Sequence, residues 1–141
     1  MKKTKDDLKY KYKFFLNPYK DQAFTRCPKC ENKTKVRKFI FFIHVEPKQP
    51  IILNKSGKFC PYCEMIIVNQ DELEKLLCFT IEKFDPKMIG NKYIVGGTID
   101  KSDISFKKVQ ELEFEEVIKH LYVFKDILSF KVIPGGWYKK P

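Results

Sequence analysis

Four cysteines stand in two matched pairs, Cys27-Pro28-Lys29-Cys30 and Cys60-Pro61-Tyr62-Cys63. Proline follows the first cysteine of each pair, and twenty-nine residues separate the pairs. Thiolates are soft ligands, and two Cys-x-x-Cys pairs supply the four needed for a tetrahedral shell around one zinc ion, with Zn–S bonds of about 2.3 Å. Four protein ligands leave no position for water or substrate. The expected metal, one Zn2+ per chain, is therefore structural rather than catalytic. The competing chemistry is redox. A thioredoxin-like motif places its Cys-x-x-Cys where a strand enters a helix, and neither pair here opens a helical pattern.

The remaining chemically capable residues lack partners. Cys78 lies in a helical pattern beside Leu77 and Phe79 and reads as a small buried apolar residue. His44 and His120 have no second histidine or carboxylate at ligand spacing, so structural or surface roles are expected. Glu111, Glu113, Glu115 and Glu116 read as the solvated, dipole-favoured start of a helix. No phosphate loop, dinucleotide fingerprint, nucleophile elbow or H-E-x-x-H motif is present. The expectation is a protein that is not an enzyme, with no small-molecule substrate identified.

The net charge is +10, and it is unevenly spread. Residues 1–40 hold 13 Lys/Arg against 4 Asp/Glu, while residues 41–141 hold 15 against 14. Such a localised positive field attracts phosphate backbones or acidic protein surfaces. Arg26, Lys29, Lys33, Lys35, Arg37 and Lys38 surround the first cysteine pair, with Phe24 and Phe39 among them. Basic side chains interleaved with aromatics suit single-stranded nucleic acid, and these six are the candidate DNA or RNA contacts. Of the 28 basic residues 26 are lysine, which favours phosphate contact over base reading. A lysine-rich codon bias gives the same composition without any partner.

Elements must hold the two knuckles face to face. Val36 to Val45 reads as a strand broken by Glu46-Pro47-Lys48-Gln49-Pro50. Ile51-Ile52-Leu53 starts another strand, and Asn54-Lys55-Ser56-Gly57 reads as a turn with Gly57 at positive φ. Met65 to Val68 leads out of the second knuckle as a strand. A helix follows, capped by Asn69 or Asp71, with Leu73, Leu76, Leu77, Ile81 and Phe84 on one face and Asp85-Pro86 ending it. Upstream, Tyr10, Tyr12, Phe14 and Leu16 alternate with lysines as a short half-buried strand would, and Asn17-Pro18 ends it. Downstream, Tyr93 to Ile99 reads as a strand with a bulge at Gly96-Gly97. Phe114, Val117, Ile118, Leu121 and Tyr122 form a second amphipathic helix. Ile127 to Ile133 is a last strand, closed by Pro134-Gly135-Gly136 before a Trp137-Tyr138 tail.

With both knuckles in view, residues 24–68 resemble the zinc-ribbon superfamily, whose members include modules of transcription factors, RNA polymerase subunits and ribosomal proteins. Asn17-Pro18-Tyr19, Ala23 to Phe39 and Leu53 to Val68 are also similar to bacterial zinc-ribbon proteins that carry no assigned function. The resemblance implies Cys27, Cys30, Cys60 and Cys63 as ligands, and contacts to either nucleic acid or protein. The expected fold class is α+β: a basic aromatic arm over 1–23, an antiparallel four-cysteine zinc ribbon over 24–68, and a small α+β continuation with two helices over 69–141. The expected function is nucleic-acid binding through the basic N-terminal third. The alternative is a protein–protein adaptor with the ribbon as scaffold. The longest apolar run, Phe39 to Ile43, is too short to span a bilayer. With no signal peptide visible and thiols free for metal, the expected location is the cytoplasm.

Overall fold

Phe39-Ile40-Phe41-Phe42-Ile43 is apolar without alternation, which a strand tolerates only when both its faces are covered. The computed structural model, which describes residues 9–83 and 85–130, covers both. Strand β3 (Lys35–Val45) forms a long antiparallel hairpin with β4 (Gln49–Cys60). Phe39, Phe41, Ile43 and Val45 enter one apolar cluster, whereas Ile40 and Phe42 enter another.

The other strands are β1 (Lys9–Tyr10), β2 (Lys13–Asn17), β5 (Met65–Asn69), β6 (Tyr93–Ile99), β7 (Leu121–Val123) and β8 (Asp126–Leu128). They join one 8-stranded sheet in the order β1-β7-β6-β3-β4-β5-β2-β8. Most neighbours are antiparallel; β1 with β7, and β2 with β5 and β8, are parallel.

The ends of that order belong to the same two chain segments. Lys9 faces Tyr122 and Phe15 faces Leu128, a constant offset along both segments. Lys11 N–H donates to the Val123 carbonyl (2.9 Å) and Lys125 N–H to that of Tyr12 (2.7 Å), which carries the ladder across the break. The sheet therefore closes on itself through β6, β3, β4, β5, residues 9–17, residues 121–128 and β6 again. A closed ring removes the free edges that an open sheet exposes.

Three apolar layers follow from this closure. The interior holds Tyr12, Phe14, Phe41, Phe59, Ile66 and Phe124, with Phe14 and Phe124 stacked at 4.6 Å. Helix α1 (Gln70–Ile81) adds Leu73, Leu77 and Ile81 to it. Helices α2 (Phe106–Gln110) and α3 (Phe114–Lys119) cover Ile40, Phe42 and Ile99 with Val109 and Val117. The first cysteine loop covers Phe15, Met65 and Ile67. Each fully buried large apolar side chain contributes about 1.5–3 kcal/mol.

The sequence expectations meet this fold unevenly. The expected strands of residues 36–45 and 65–68 are present, and Asn69 caps α1 by accepting from Glu72 N–H at 2.9 Å. A bulge lies opposite Phe42 and Ile43, which pair with Gly97 and Val95 and leave Gly96 between them. Residues 54–57 are not a turn but the middle of β4, paired with Lys38 to Ile40 and Arg37. Gly57 is there for close approach: a Cβ would lie 2.7 Å from the Ile67 carbonyl oxygen. The alternation of residues 9–16 becomes two strands, broken at Lys11-Tyr12 where Tyr12 has φ 68°. The second expected helix stops at Lys119, and Leu121 and Tyr122 pair with β6 instead. Helix α2 was not expected, so there are three α-helices rather than two among the described residues. Phe84, the end of the last expected strand, Pro134-Gly135-Gly136 and the Trp137-Tyr138 tail lie outside the described residues.

Candidate metal centre

Asn17 turns the chain out of β2. Its side chain accepts from Tyr19 N–H and donates to the Gln22 carbonyl, both at 2.8 Å. The loop then doubles back. Arg26 pairs with Lys33, Thr34 N–H donates to the Thr25 carbonyl (2.9 Å), and Cys27 N–H to that of Asn32 (2.8 Å). Cys27 and Cys30 occupy the tip of this small hairpin. The second tip joins β4 to β5, where Cys60 pairs with Met65. It is tied to β2 by Lys13 N–H donating to the Glu64 carbonyl at 2.8 Å.

The two tips bring Cys27, Cys30, Cys60 and Cys63 together, with all four sulfurs within 4.8 Å of one another. Cys27 Sγ lies 3.9 Å from Cys63 Sγ, and Cys30 Sγ 3.4 Å from Cys60 Sγ. Sulfurs at the corners of a tetrahedron with ~2.3 Å metal bonds stand ~3.8 Å apart, so the spacing suits a metal ion. Cys27 and Cys60 are buried. The cluster rests on Phe15, Met65 and Ile67, with Phe24 edge-on to Phe15 at 5.3 Å.

Backbone amides aim at the sulfurs. Lys29 N–H donates to Cys27 Sγ and Cys63 N–H to Cys60 Sγ, each at 3.4 Å, and Asn32 Nδ2 donates to Cys30 Sγ at 3.2 Å. The Asn32 backbone and side-chain N–H groups hold the Cys30 thiol down to about 6. Burial pushes the Cys60 thiol up and, with the neighbouring thiols, pushes Cys63 up to about 12. A cation among the four sulfurs reverses the second effect, because thiols deprotonate on coordination. Four thiolates fill a tetrahedral shell, so the centre can hold a metal but offers it no open position.

The six basic residues separate into two groups. All are exposed. Arg26, Lys29 and Lys33 sit on the first hairpin, with Arg26 Nη1 donating to the Glu31 carbonyl at 3.2 Å. Lys35 and Arg37 alternate along β3 with Lys38, which projects from the other face. The Arg37 guanidinium carbon lies over the rings of Phe39 (4.9 Å) and Phe59 (4.6 Å). Cys78 is half-buried on α1, apart from the sulfur cluster, and His44 and His120 are half-buried in β3 and at the end of α3. Glu115 and Glu116 lie in the first turn of α3, where the helix dipole favours them.

Sequence reasoning missed Asn32, which has no counterpart in the second pair, and Lys101, which lies beside Arg37 and Lys38. It also passed over a legible signal: each pair continues into glutamate, as Cys-Pro-x-Cys-Glu. Both glutamates are left-handed, Glu31 at φ 65° and Glu64 at φ 53°.

Among the described residues no helix is long and apolar enough to cross a membrane. Compared with protein-family models, with curated proteins and with solved structures, the chain matches none.

Proposed function

We propose that the four-cysteine centre holds one structural zinc ion and that the protein is a non-enzymatic, cytoplasmic zinc-ribbon-like protein that binds nucleic acid through its basic N-terminal third. The observation that carries the metal assignment is the convergence of four sulfurs within 4.8 Å on an apolar base, with amides directed at three of them. Thiolate ligands in a tetrahedron favour zinc over harder cations, and a reducing compartment keeps them free. Strand binding is supported by the exposure of Arg26, Lys29, Lys33, Lys35, Arg37 and Lys38 and by the position of the Arg37 guanidinium over two aromatic rings. Metal analysis should return one zinc per folded chain; a folded, reduced, metal-free protein contradicts the first part. Affinity for single-stranded DNA or RNA should fall steeply with salt and weaken when Lys29 and Lys33 become Gln. Absence of binding at low salt contradicts the second part.

A second reading, a protein–protein adaptor, is favoured by one feature. Ile94 and Ile127 are 65% and 60% exposed and line a groove floored by Phe14 and Val95. A partner retained at high salt and lost in Ile94→Asp supports it.

A further inference from the structure

The pairing of β3 with β6 ends at Ile40 and Ile99, and the chain then turns, with Asp103 N–H (3.0 Å) and Ile104 N–H (3.2 Å) both donating to the Asp100 carbonyl. This turn sets Lys101 beside Lys38 at one rim of the closed sheet. Like charges brought close together repel. Arg37, one residue from Lys38, lines the same small hollow, together with Tyr12, Thr98 and Asp100. Among the described residues no carboxylate lies within ion-pair distance of Arg37, Lys38 or Lys101. Asp100 is the acid at hand, and it is already committed. Its carboxylate meets Lys11 Nζ at 2.7 Å and accepts from Ser102 N–H (3.0 Å) and Oγ (2.8 Å). Arg37 and Lys38, which leave opposite faces of β3, thus border one hollow with Lys101, and the acid among its lining residues is already paired.

The hollow also limits its occupant. Its volume is about 50 Å³, well below the roughly 300–1,000 Å³ of sites for drug-sized ligands and cofactors. A compact anion fits this description, and a nucleobase or cofactor does not. The Arg37 guanidinium carbon lies 4.9 Å from the centre of the Phe39 ring and 4.6 Å from that of Phe59, contacts that favour one placement of the side chain. A planar fork is suited to two oxygens of one phosphate, with the lysines adding point charge.

We propose that Arg37, Lys38 and Lys101 form a binding site for a single phosphate group at the rim of the barrel. The site deepens the strand-binding reading and rests on it only for the source of the phosphate, a phosphodiester in a strand rather than free phosphate. It adds Lys101, from a stretch with almost no net charge, to contacts otherwise confined to the N-terminal third. Burial first, then Lys38 and Arg37, hold the Lys101 ammonium below the usual lysine range. A bound phosphate relieves that repulsion.

The test uses the full chain with two probes, inorganic phosphate and a short oligodeoxythymidylate. Phosphate should raise the Tm of the parent protein saturably, beyond chloride at equal ionic strength, because a ligand of the folded state stabilises it. Lys101→Gln should abolish that rise. It should not lower the Tm without phosphate, since a like-charge contact is removed. The same variant should weaken oligonucleotide binding about fivefold and reduce the magnitude of the log–log salt slope by about 0.7, the single-strand value for one phosphate. Lys48→Gln, in the β3–β4 turn at the far end of β3, should do neither. If Lys101→Gln abolishes the phosphate response but leaves oligonucleotide affinity intact, the site stands and its phosphate is free. If phosphate gives no response sensitive to Lys101, the site is overturned, whatever Arg26, Lys29 and Lys33 contribute to strand binding.

Discussion

Glu31 and Glu64 hold the same left-handed conformation at the same place in two separate turns, each directly after the second cysteine of its pair. The reason is common to both. After the second sulfur has been aimed at the shared centre, the chain must reverse at once into a strand-like return. Glu31 N–H donates to the Cys27 carbonyl at 2.8 Å, and the Glu64 carbonyl is taken by Lys13 N–H. Left-handed backbone costs an L-residue about 1–2 kcal/mol, which glycine avoids.

Glu64→Gly should therefore be neutral to stabilising by up to about 1 kcal/mol, the relief being partly offset by glycine's greater unfolded-state freedom. Glu64→Val should destabilise by about 1–2 kcal/mol. Urea unfolding of the metal-loaded variants measures both. A valine variant as stable as the glycine variant contradicts the strained-turn account.

Removing the metal should loosen one layer only. The sulfur cluster rests on the outer cluster of Phe15, Met65 and Ile67, whereas Phe41, Ile43 and Leu53 lie in the interior. With metal a thousandfold above its Kd, the loss is about 4 kcal/mol. Hydrogen exchange after chelation, or in Cys60→Ser, should show lost protection at residues 25–34 and 60–65. Protection within residues 40–45 should persist. Uniform loss across both regions would mean that the barrel has no stability of its own.

Asp100 makes stability depend on acid. The hydrogen bond from Lys11, then those from Ser102, hold its carboxyl down at about 2, below the usual carboxylate range. A depressed folded-state pKa gives stability that is present above about pH 4 and is lost as pH falls toward 2. Asp100→Asn should cost about 1 kcal/mol at neutral pH. The difference from the parent should shrink below pH 4 and be nearly gone at pH 2. A difference independent of pH contradicts the ion-pair assignment.

Gly96 and Gly97 should respond oppositely to alanine. At Gly96 a Cβ meets nothing nearer than Phe42 Cδ1 at 3.8 Å, so Gly96→Ala should change stability by less than about 1 kcal/mol. At Gly97 a Cβ collides with the Tyr122 carbonyl oxygen, backbone that cannot give way. Gly97→Ala should cost about 2–3 kcal/mol or force β7 away from β6. Thermal unfolding of the two variants decides it, and equal effects contradict the register around the bulge.

The sequence by itself singled out the four cysteines that converge, because two Cys-Pro-x-Cys pairs are local patterns whose chemistry needs no knowledge of the fold. It also placed β3, β5 and the bulge, and narrowed the helix cap to Asn69 or Asp71, each specified by a few adjacent residues; the structure selects Asn69. The tertiary structure decided what those patterns could not carry. Asn54 to Gly57 has turn composition, yet it runs straight because β3 pairs along its whole length and Gly57 admits the Ile67 carbonyl. Leu121 and Tyr122 continue a helical spacing, yet they become strand because β6 and β1 both offer hydrogen bonds there. The closure of the sheet joins residues 9–15 to residues 122–128 across the length of the chain. Lys101 reaches Arg37 and Lys38 through the pairing of β3 with β6. Such contacts depend on which strands become neighbours, and that is settled by burying three apolar layers at once rather than by any single stretch of residues.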